Sequence, residues 1–414
     1  MTHFSYHSGE LHAEAVPLRE IAERYGTPCF VYSRAALTES YRAFDAAFAG
    51  HDHLICYAVK ANSNLAVLNL FARLGSGFDI VSGGELQRVL AAGGDPGAVV
   101  FSGVGKTVDE MRRALGAGIL CFNIESESEL TRLATVAADA GRTARISLRV
   151  NPDVDPRTHR YIATGLKQDK FGVPYEEALA LYRKARTLPH LAITGIGCHI
   201  GSQITDLAPV TAALERIVEL ADRLEGEGIV LSHLDAGGGL GIRYHDESPP
   251  TFLNYARAIL DRLGRRRRKL LLEPGRALVG NAGVLLTRVE YLKHGSERNF
   301  AVVDAAMNDL LRPALYDAYH EIAAVSESRG NSLDYEIVGP VCESGDFLAR
   351  ARALAVNEGD LLAILSAGAY GMSMSSNYNS RPRAAEVVVD GKKAHLVRER
   401  EPVSDLMARE QLLP

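Results

Sequence analysis

Five short stretches of this sequence each place a side chain capable of chemistry at the end of an apolar run. They are Lys60 in "CYAVKAN", Asp79 and Ser82 in "FDIVSGGEL", His199 and Ser202 in "CHIGSQ", Gly237, Gly238 and Gly239 in "DAGGGLGI", and Glu273 and Arg276 in "EPGR". Each alone has an ordinary explanation. A lysine at a strand end is a solvated charge, a histidine is a satisfied core residue, three glycines make a tight turn, and a glutamate complements the start of the next helix. Together they describe one kind of ligand. Backbone N–H groups in a glycine turn that leads into a helix favour an anion such as phosphate. A lysine amine condenses with a carbonyl, and a carboxylate facing a pyridinium nitrogen keeps an aromatic ring an electron sink. With a flat imidazole added, the set fits a phosphorylated aromatic aldehyde, pyridoxal 5'-phosphate. The "GGGLG" turn fails as a dinucleotide fingerprint, because it lies late in the chain and lacks the GxGxxG spacing.

Such a set needs a scaffold that gathers strand ends at one place. Between Leu37 and Gly280, β-rich runs begin at Leu54, Phe78, Ala98, Leu120, Ala144, Ile193, Leu231 and Lys269, with stretches of helical composition between them. One of these, "SELTRLATVAADAG", is expected to open on Ser128 as N-cap and to close on Gly141. Eight βα units predict an α/β fold built on a (β/α)8 TIM-type barrel, whose βα loops form a single mouth; an open doubly wound sheet shares the local pattern. After Asn281 the texture changes to β-rich runs separated by Gly, Asn and Asp. "VVVDGKKAHLV" reads as a hairpin with an Asp390-Gly391 turn. A second, mostly antiparallel β domain is predicted there. The early run "PCFVYS", Pro28 to Ser33, is able to pair into it. The expected division is therefore a barrel over residues 36–280 and a discontinuous β domain from residues 1–35 and 281–414.

Charge and cysteine usage bound the remaining possibilities. A net charge of −5 and a pI near 6.2 give no basic field for nucleic acid. The run "RRRRK", Arg265 to Lys269, reads as a solvated connection. Cys29, Cys56, Cys121, Cys198 and Cys342 are scattered, odd in number and without a CxxC pair, so neither a disulfide framework nor a zinc site is expected. No metal is expected. A reducing, cytoplasmic setting follows, and the sequence holds no leader pattern and no apolar run of membrane length.

The motifs "CYAVKAN", "FDIVSGGEL", "CHIGSQ", "DAGGGLGI", "EPGR", "VVDAAMNDLLRPALYDAYH", "GPVCESGD" and "GAYGMSMSSNYNSRPRAAEV" resemble, in order, those of the diaminopimelate decarboxylases. These belong to the alanine-racemase-like class of pyridoxal phosphate enzymes. The resemblance runs from about residue 10 to 410. It implies a closed (β/α)8 barrel followed by a β-barrel domain. It also implies roles by position: Lys60 forms the Schiff base, His199 stacks on the ring, and Glu273 pairs with the pyridine nitrogen. Ser202, Gly238, Gly239, the backbone around Gly275 and Arg276, and Tyr370 would hold the phosphate, with Asp79 supporting the constellation. Cys342 and Glu343 resemble a pair donated by the partner subunit of a homodimer with shared sites, Cys342 being the proton donor.

Substrate choice has a physical argument of its own. Diaminopimelate carries both a carboxylate and an ammonium at its far end, so its site needs a cation and an anion together. In "NDLLRPALYDAYH", Pro313 suits a first helical turn, which puts Arg312 at the helix start and Tyr316 four residues on, along one face. With Arg276 as a further anchor and Glu343 for the ammonium, both charges are answered. The bland alternative is that Arg312 and Tyr316 cap and pack a surface helix. The activity implied is decarboxylation of meso-2,6-diaminopimelate at its D-configured centre to L-lysine and carbon dioxide, the last step of lysine biosynthesis. A decarboxylase of ornithine, lysine or arginine on the same fold is the rival, and it would need no arginine at the distal end. Arg160, where the family pattern has proline, departs from the resemblance without touching a matched catalytic position and bears on the shape of the loop from 160 to 172.

Overall fold

Eight of the apolar runs become strands: β1 (His53–Ala58), β2 (Gly77–Ile80), β3 (Val99–Phe101), β4 (Cys121–Ile124), β5 (Ala144–Asn151), β6 (Leu191–Gly197), β7 (His233–Asp235) and β8 (Lys269–Leu272). Every neighbour in that order pairs in parallel, and β8 pairs back onto β1 through Leu272 and Ile55, so the sheet closes. An open doubly wound sheet is thereby excluded. Closure buries both faces of each strand, which is why the runs are nearly continuous in apolar residues rather than alternating. Cys56, Val100, Cys121 and Leu271 meet inside the barrel with no exposed surface. This computed structural model describes residues 3–414 apart from 157, 160, 161, 163, 167, 267, 328 and 329. Arg160 and Arg267 of the basic run therefore lie outside the described residues.

The helix after β4 starts earlier than the sequence suggests. Ser126, not Ser128, is its N-cap: Ser126 is extended (φ −160°, ψ 159°) and its hydroxyl accepts from the Glu129 N–H at 3.2 Å. The Ser-x-x-Glu spacing favours that position, because the residue three along is an acid that suits the first turn. Gly141 follows the last turn with φ 59°, as a helix stop requires.

The chain divides into two compact units. The barrel unit comprises Tyr41–Ile242 and Ser248–Ala277; the other comprises residues up to Ser40, Arg243–Glu247 and Leu278–Pro414. In the second unit a mixed sheet runs Phe347–Leu354, Leu333–Val338, Asn299–Val303, Gly283–His294, Cys29–Ser33, Ala385–Asp390, Lys393–Arg398. Most pairings are antiparallel. Two are parallel, Asn299–Val303 with Leu333–Val338 and Cys29–Ser33 with Ala385–Asp390. The hairpin at the sheet's end pairs Asp390 with Lys393, so its turn is Gly391-Lys392, one residue later than the Asp390-Gly391 turn expected. Gly391 supplies the positive φ (57°) at the first turn position, which it tolerates because it has no Cβ. Leu11, Val31, Val284, Leu286 and Val387 are among the side chains that form this unit's core.

Candidate active site

Lys60 sits where β1 breaks into a single 3-10 turn, Val59–Ala61. Val59 and Ala61 are buried, and this points the intervening lysine away from the wall. Its Nζ donates to Asp79 Oδ2 at 2.5 Å. Asp79, at the end of β2, has no exposed surface, and its Oδ1 has no hydrogen-bond partner among the described residues. A buried, half-satisfied carboxylate is costly to keep, so it has to be held for a purpose or by a charge. Ser82, two residues past the same strand, caps the helix Gly83–Ala91 by accepting from the Glu85 N–H.

Opposite in charge to Lys60, an acidic group occupies the ends of β7 and β8. Asp235 Oδ1 accepts from the Gly237 N–H at 2.8 Å, and its carboxyl group is hydrogen-bonded to that of Glu273. Asn123, near the end of β4, reaches both: its Nδ2 lies 3.3 Å from Asp235 Oδ2, 3.4 Å from Glu273 Oε1 and 3.2 Å from Ser102 Oγ. Burial, and then the negative charges of Asp235 and Asp79, push the Glu273 carboxyl well above its usual range. Asp235 already has two donors, so the proton of this pair belongs on Glu273.

His199 follows β6 and is half-buried. Its Nδ1 accepts from the Gly238 N–H at 3.1 Å, which leaves the ring proton on Nε2. Burial, then Arg149 and Lys60, hold its pKa well below the ordinary histidine value, so the ring is neutral. The His199 carbonyl accepts from Thr164 Oγ1 (2.8 Å) and Arg149 Nη2 (3.2 Å), and Arg149 in turn pairs with Glu125 at 3.3 Å.

Three loops meet beside this group because glycines let them. A Cβ on Gly238 would lie 2.0 Å from the Glu273 carbonyl oxygen, and one on Gly239 would lie 2.2 Å from that of Gly201. Gly275 approaches Ala58 and Ala61 so closely that its Cβ would fall 3.1 and 3.0 Å from theirs. Arg276, buried, donates through Nη2 to Ser202 Oγ at 2.9 Å. The loop after β3 forms a further wall. Its Lys106 is buried, donating to Gly103 O (2.8 Å), Asn123 O (2.7 Å) and Glu129 Oε1 (2.7 Å).

Lys60, Asp79, His199 and Glu273 line one cavity of about 690 Å³, together with Asn123, Arg149 and Asp235. Reading the sequence missed these last three. Asn123 and Asp235 occupy the next-to-last and last positions of their strands and Arg149 lies two residues before the end of β5, so the rule that singled out Lys60 and Glu273 reaches them too. Ser202, Gly238, Gly239, Gly275 and Arg276 also belong to the barrel unit but are not among the residues lining this cavity, whereas the other expected site residues belong to the second unit. There Arg312 is buried at the start of the helix Arg312–Tyr316, and Tyr316 is half-buried at its end. Tyr370 is half-buried with a left-handed backbone (φ 55°). Cys342 is exposed, its N–H donating to Asn379 Oδ1 at 3.0 Å, and Glu343 Oε2 accepts from the Tyr378 hydroxyl at 3.2 Å.

The donor set fits pyridoxal 5'-phosphate. A cavity of that size takes a small aromatic ring. It presents one amine, one neutral imidazole and one carboxyl group carrying a proton. No cluster of three or more His, Cys, Asp or Glu among the described residues is arranged to hold a metal. Nor is any described helix long and apolar enough to cross a membrane.

Comparison with known proteins follows the same line. Residues 34–280 match the family described as "Pyridoxal-dependent decarboxylase, pyridoxal binding domain". Over 414 residues, all of both chains, the sequence is 62% identical to diaminopimelate decarboxylase of Pseudomonas aeruginosa. It is 59% identical to that of Vibrio cholerae, again over the whole of both chains. The crystal structure of diaminopimelate decarboxylase from Helicobacter pylori complexed with L-lysine superposes with a TM-score of 0.92 at 42% identity, covering 95% of this chain and 99% of that one.

Proposed function

This chain belongs to the diaminopimelate decarboxylases, within the pyridoxal-dependent decarboxylases, and from that premise we propose which of its side chains carry each part of the reaction. It uses pyridoxal 5'-phosphate to convert meso-2,6-diaminopimelate to L-lysine and carbon dioxide. When bound, the cofactor supplies an electron sink for the pair of electrons left as carbon dioxide departs. Lys60 holds the cofactor's carbonyl carbon, and Asp79 orients the lysine through the 2.5 Å contact with Nζ. Glu273 supplies the carboxyl group at the ring nitrogen, and Asp235 with Asn123 fixes where that carboxyl sits. A neutral His199, held by the Gly238 N–H, offers a flat face to the ring without adding a positive charge. Ser202, Gly238, Gly239, Gly275, Arg276 and Tyr370 bind the phosphate. The Gly238 N–H is already spent on His199, so that residue's part is to let the backbone come close.

At the far end of the substrate, Arg312 and Tyr316 meet the carboxylate, Glu343 meets the ammonium, and Arg276 is a further anchor. Cys342 returns a proton to the carbon that lost its carboxylate. Cys342 and Glu343 act from the partner subunit of a homodimer, a reading supported by the exposure of Cys342 in the single chain. A cytoplasmic setting agrees with five free cysteines, four of them buried.

The observation that carries this assignment is the convergence of Lys60, His199 and Glu273 on one cavity at the C-terminal ends of β1, β6 and β8. The test is substrate discrimination. With meso-diaminopimelate and pyridoxal phosphate, carbon dioxide and L-lysine are released, whereas ornithine is turned over poorly; equal turnover of ornithine would sink the distal-site assignment.

A further inference from the structure

Arg312 is buried although it carries a permanent charge, and two contacts fix its guanidinium in two directions. Nη1 lies 2.7 Å from His320 Nε2, and the guanidinium carbon stands over the Tyr244 ring, 4.4 Å from its centre. His320 has no exposed surface, and its other nitrogen, Nδ1, lies 2.8 Å from the Leu365 carbonyl oxygen. The protonation state of His320 then follows from donor and acceptor chemistry alone. A carbonyl oxygen only accepts, so Nδ1 carries the proton; a guanidinium N–H only donates, so Nε2 keeps its lone pair. His320 is therefore a neutral imidazole whose acceptor is aimed at Arg312. Tyr244 packs against the same imidazole edge-on, with ring centres 5.2 Å apart at 75°. The carbonyl that sets this arrangement is itself anchored, since the Leu365 N–H donates to Glu321 O at 2.9 Å.

We propose that His320 and Tyr244 are positioning residues that aim the Arg312 guanidinium, and that through it they set the enzyme's demand for a carboxylate at the distal end of the substrate. The inference rests on the reading that Arg312 meets that carboxylate. A guanidinium recognises a carboxylate through a planar fork, so its value depends on the orientation of the plane as much as on the charge. A lysine in its place would need no such frame. An acceptor at Nη1 and a ring against the guanidinium carbon together restrict how the group can turn, which a surface capping role for Arg312 would not require.

Equilibrium binding to the cofactor-loaded enzyme separates the possibilities. L-lysine keeps the distal carboxylate of the substrate, whereas 1,5-diaminopentane lacks it. His320→Phe, which keeps a ring but removes the acceptor, is expected to weaken L-lysine about tenfold, the worth of one hydrogen bond to a charged group. It should raise KM for meso-diaminopimelate by a similar factor, with kcat little changed and 1,5-diaminopentane bound as before. His320→Gln, which restores an acceptor, is expected to recover most of the loss. Tyr244→Leu carries the same test if His320→Phe fails to fold. Unchanged L-lysine affinity in both His320→Phe and Tyr244→Leu, or equal weakening of the two ligands, overturns the inference. Arg312→Met is the reference: if it leaves L-lysine binding intact, the reading of Arg312 fails, whereas if it weakens L-lysine and the other two variants do not, only the positioning role fails.

Discussion

Replacing Glu273 by glutamine removes an ionisable group without changing shape, and the surroundings of Glu273 specify an unusual outcome. The carboxyl is 7% exposed, and burial together with Asp235 and Asp79 raises its pKa well above the ordinary value of 4.5. In the cofactor-free protein, the folded state therefore binds a proton that the unfolded chain has already released. Where the folded state holds more protons, stability falls as pH rises, by up to about 1.4 kcal/mol for each pH unit between the unfolded and folded pKa values. The stabilising share of this group is complete below the ordinary carboxylate pKa and is lost as pH climbs through the raised one. Glutamine does not titrate. Cofactor-free Glu273→Gln should match the parent protein in acid and become progressively more stable than it from about pH 5 to pH 8. Activity should go the other way. A glutamine cannot balance a cationic ring nitrogen, and loss of one partner from a buried charge pair costs about 3 kcal/mol or more, a factor of more than a hundred in kcat/KM. Urea denaturation of both cofactor-free proteins across that pH range, alongside turnover of the loaded enzymes, provides the measurement. A variant less stable than the parent at pH 8 would mean that Glu273 is ionised and well paired before the cofactor arrives, and the reasoning would be wrong.

Two further perturbations test the walls of the site. Gly238→Ala would place a Cβ 2.0 Å from a backbone oxygen that cannot step aside, so a loss of about 1–3 kcal/mol in stability and a weaker grip on the cofactor are expected. Thermal melts and cofactor titration read this out, and an alanine variant that binds cofactor as the parent does would refute the close approach. Lys106→Met leaves Glu129 buried without its cation, with an expected cost of about 3–5 kcal/mol. The double variant Lys106→Met with Glu129→Leu should recover most of it in a denaturation cycle, and failure to recover would show that Lys106 acts through the Gly103 and Asn123 carbonyls instead.

What the sequence could and could not reveal divides along physical lines. Strand ends were readable because a parallel barrel forces continuous apolar runs that stop abruptly on polar residues, as β1 stops at Lys60 and β8 at Glu273. The same feature hid Asn123, Arg149 and Asp235, since a polar residue inside or at the end of a strand looks alike whether it faces a ligand or merely meets water. Closure was legible only through the resemblance to the diaminopimelate decarboxylases, not from the local pattern. Nothing local distinguishes a sheet whose last strand pairs with its first; the pairing of β8 with β1 settles it. Small shifts of one or two residues, from Ser128 to Ser126 and from Asp390-Gly391 to Gly391-Lys392, arose where two nearby positions satisfy the same local preference. The demands of the flanking elements choose between them. The neutral state of His320 could not be read at all, because it depends on a carbonyl 45 residues away along the chain.

The most direct test of the whole account is chemical marking of the lysine that holds the cofactor. Borohydride reduction of the enzyme loaded with pyridoxal phosphate, followed by peptide mapping, should place the label on Lys60, in the peptide that contains "CYAVKAN". A label on Lys106, or on any lysine outside the mouth of the barrel, would contradict the assignment of the site.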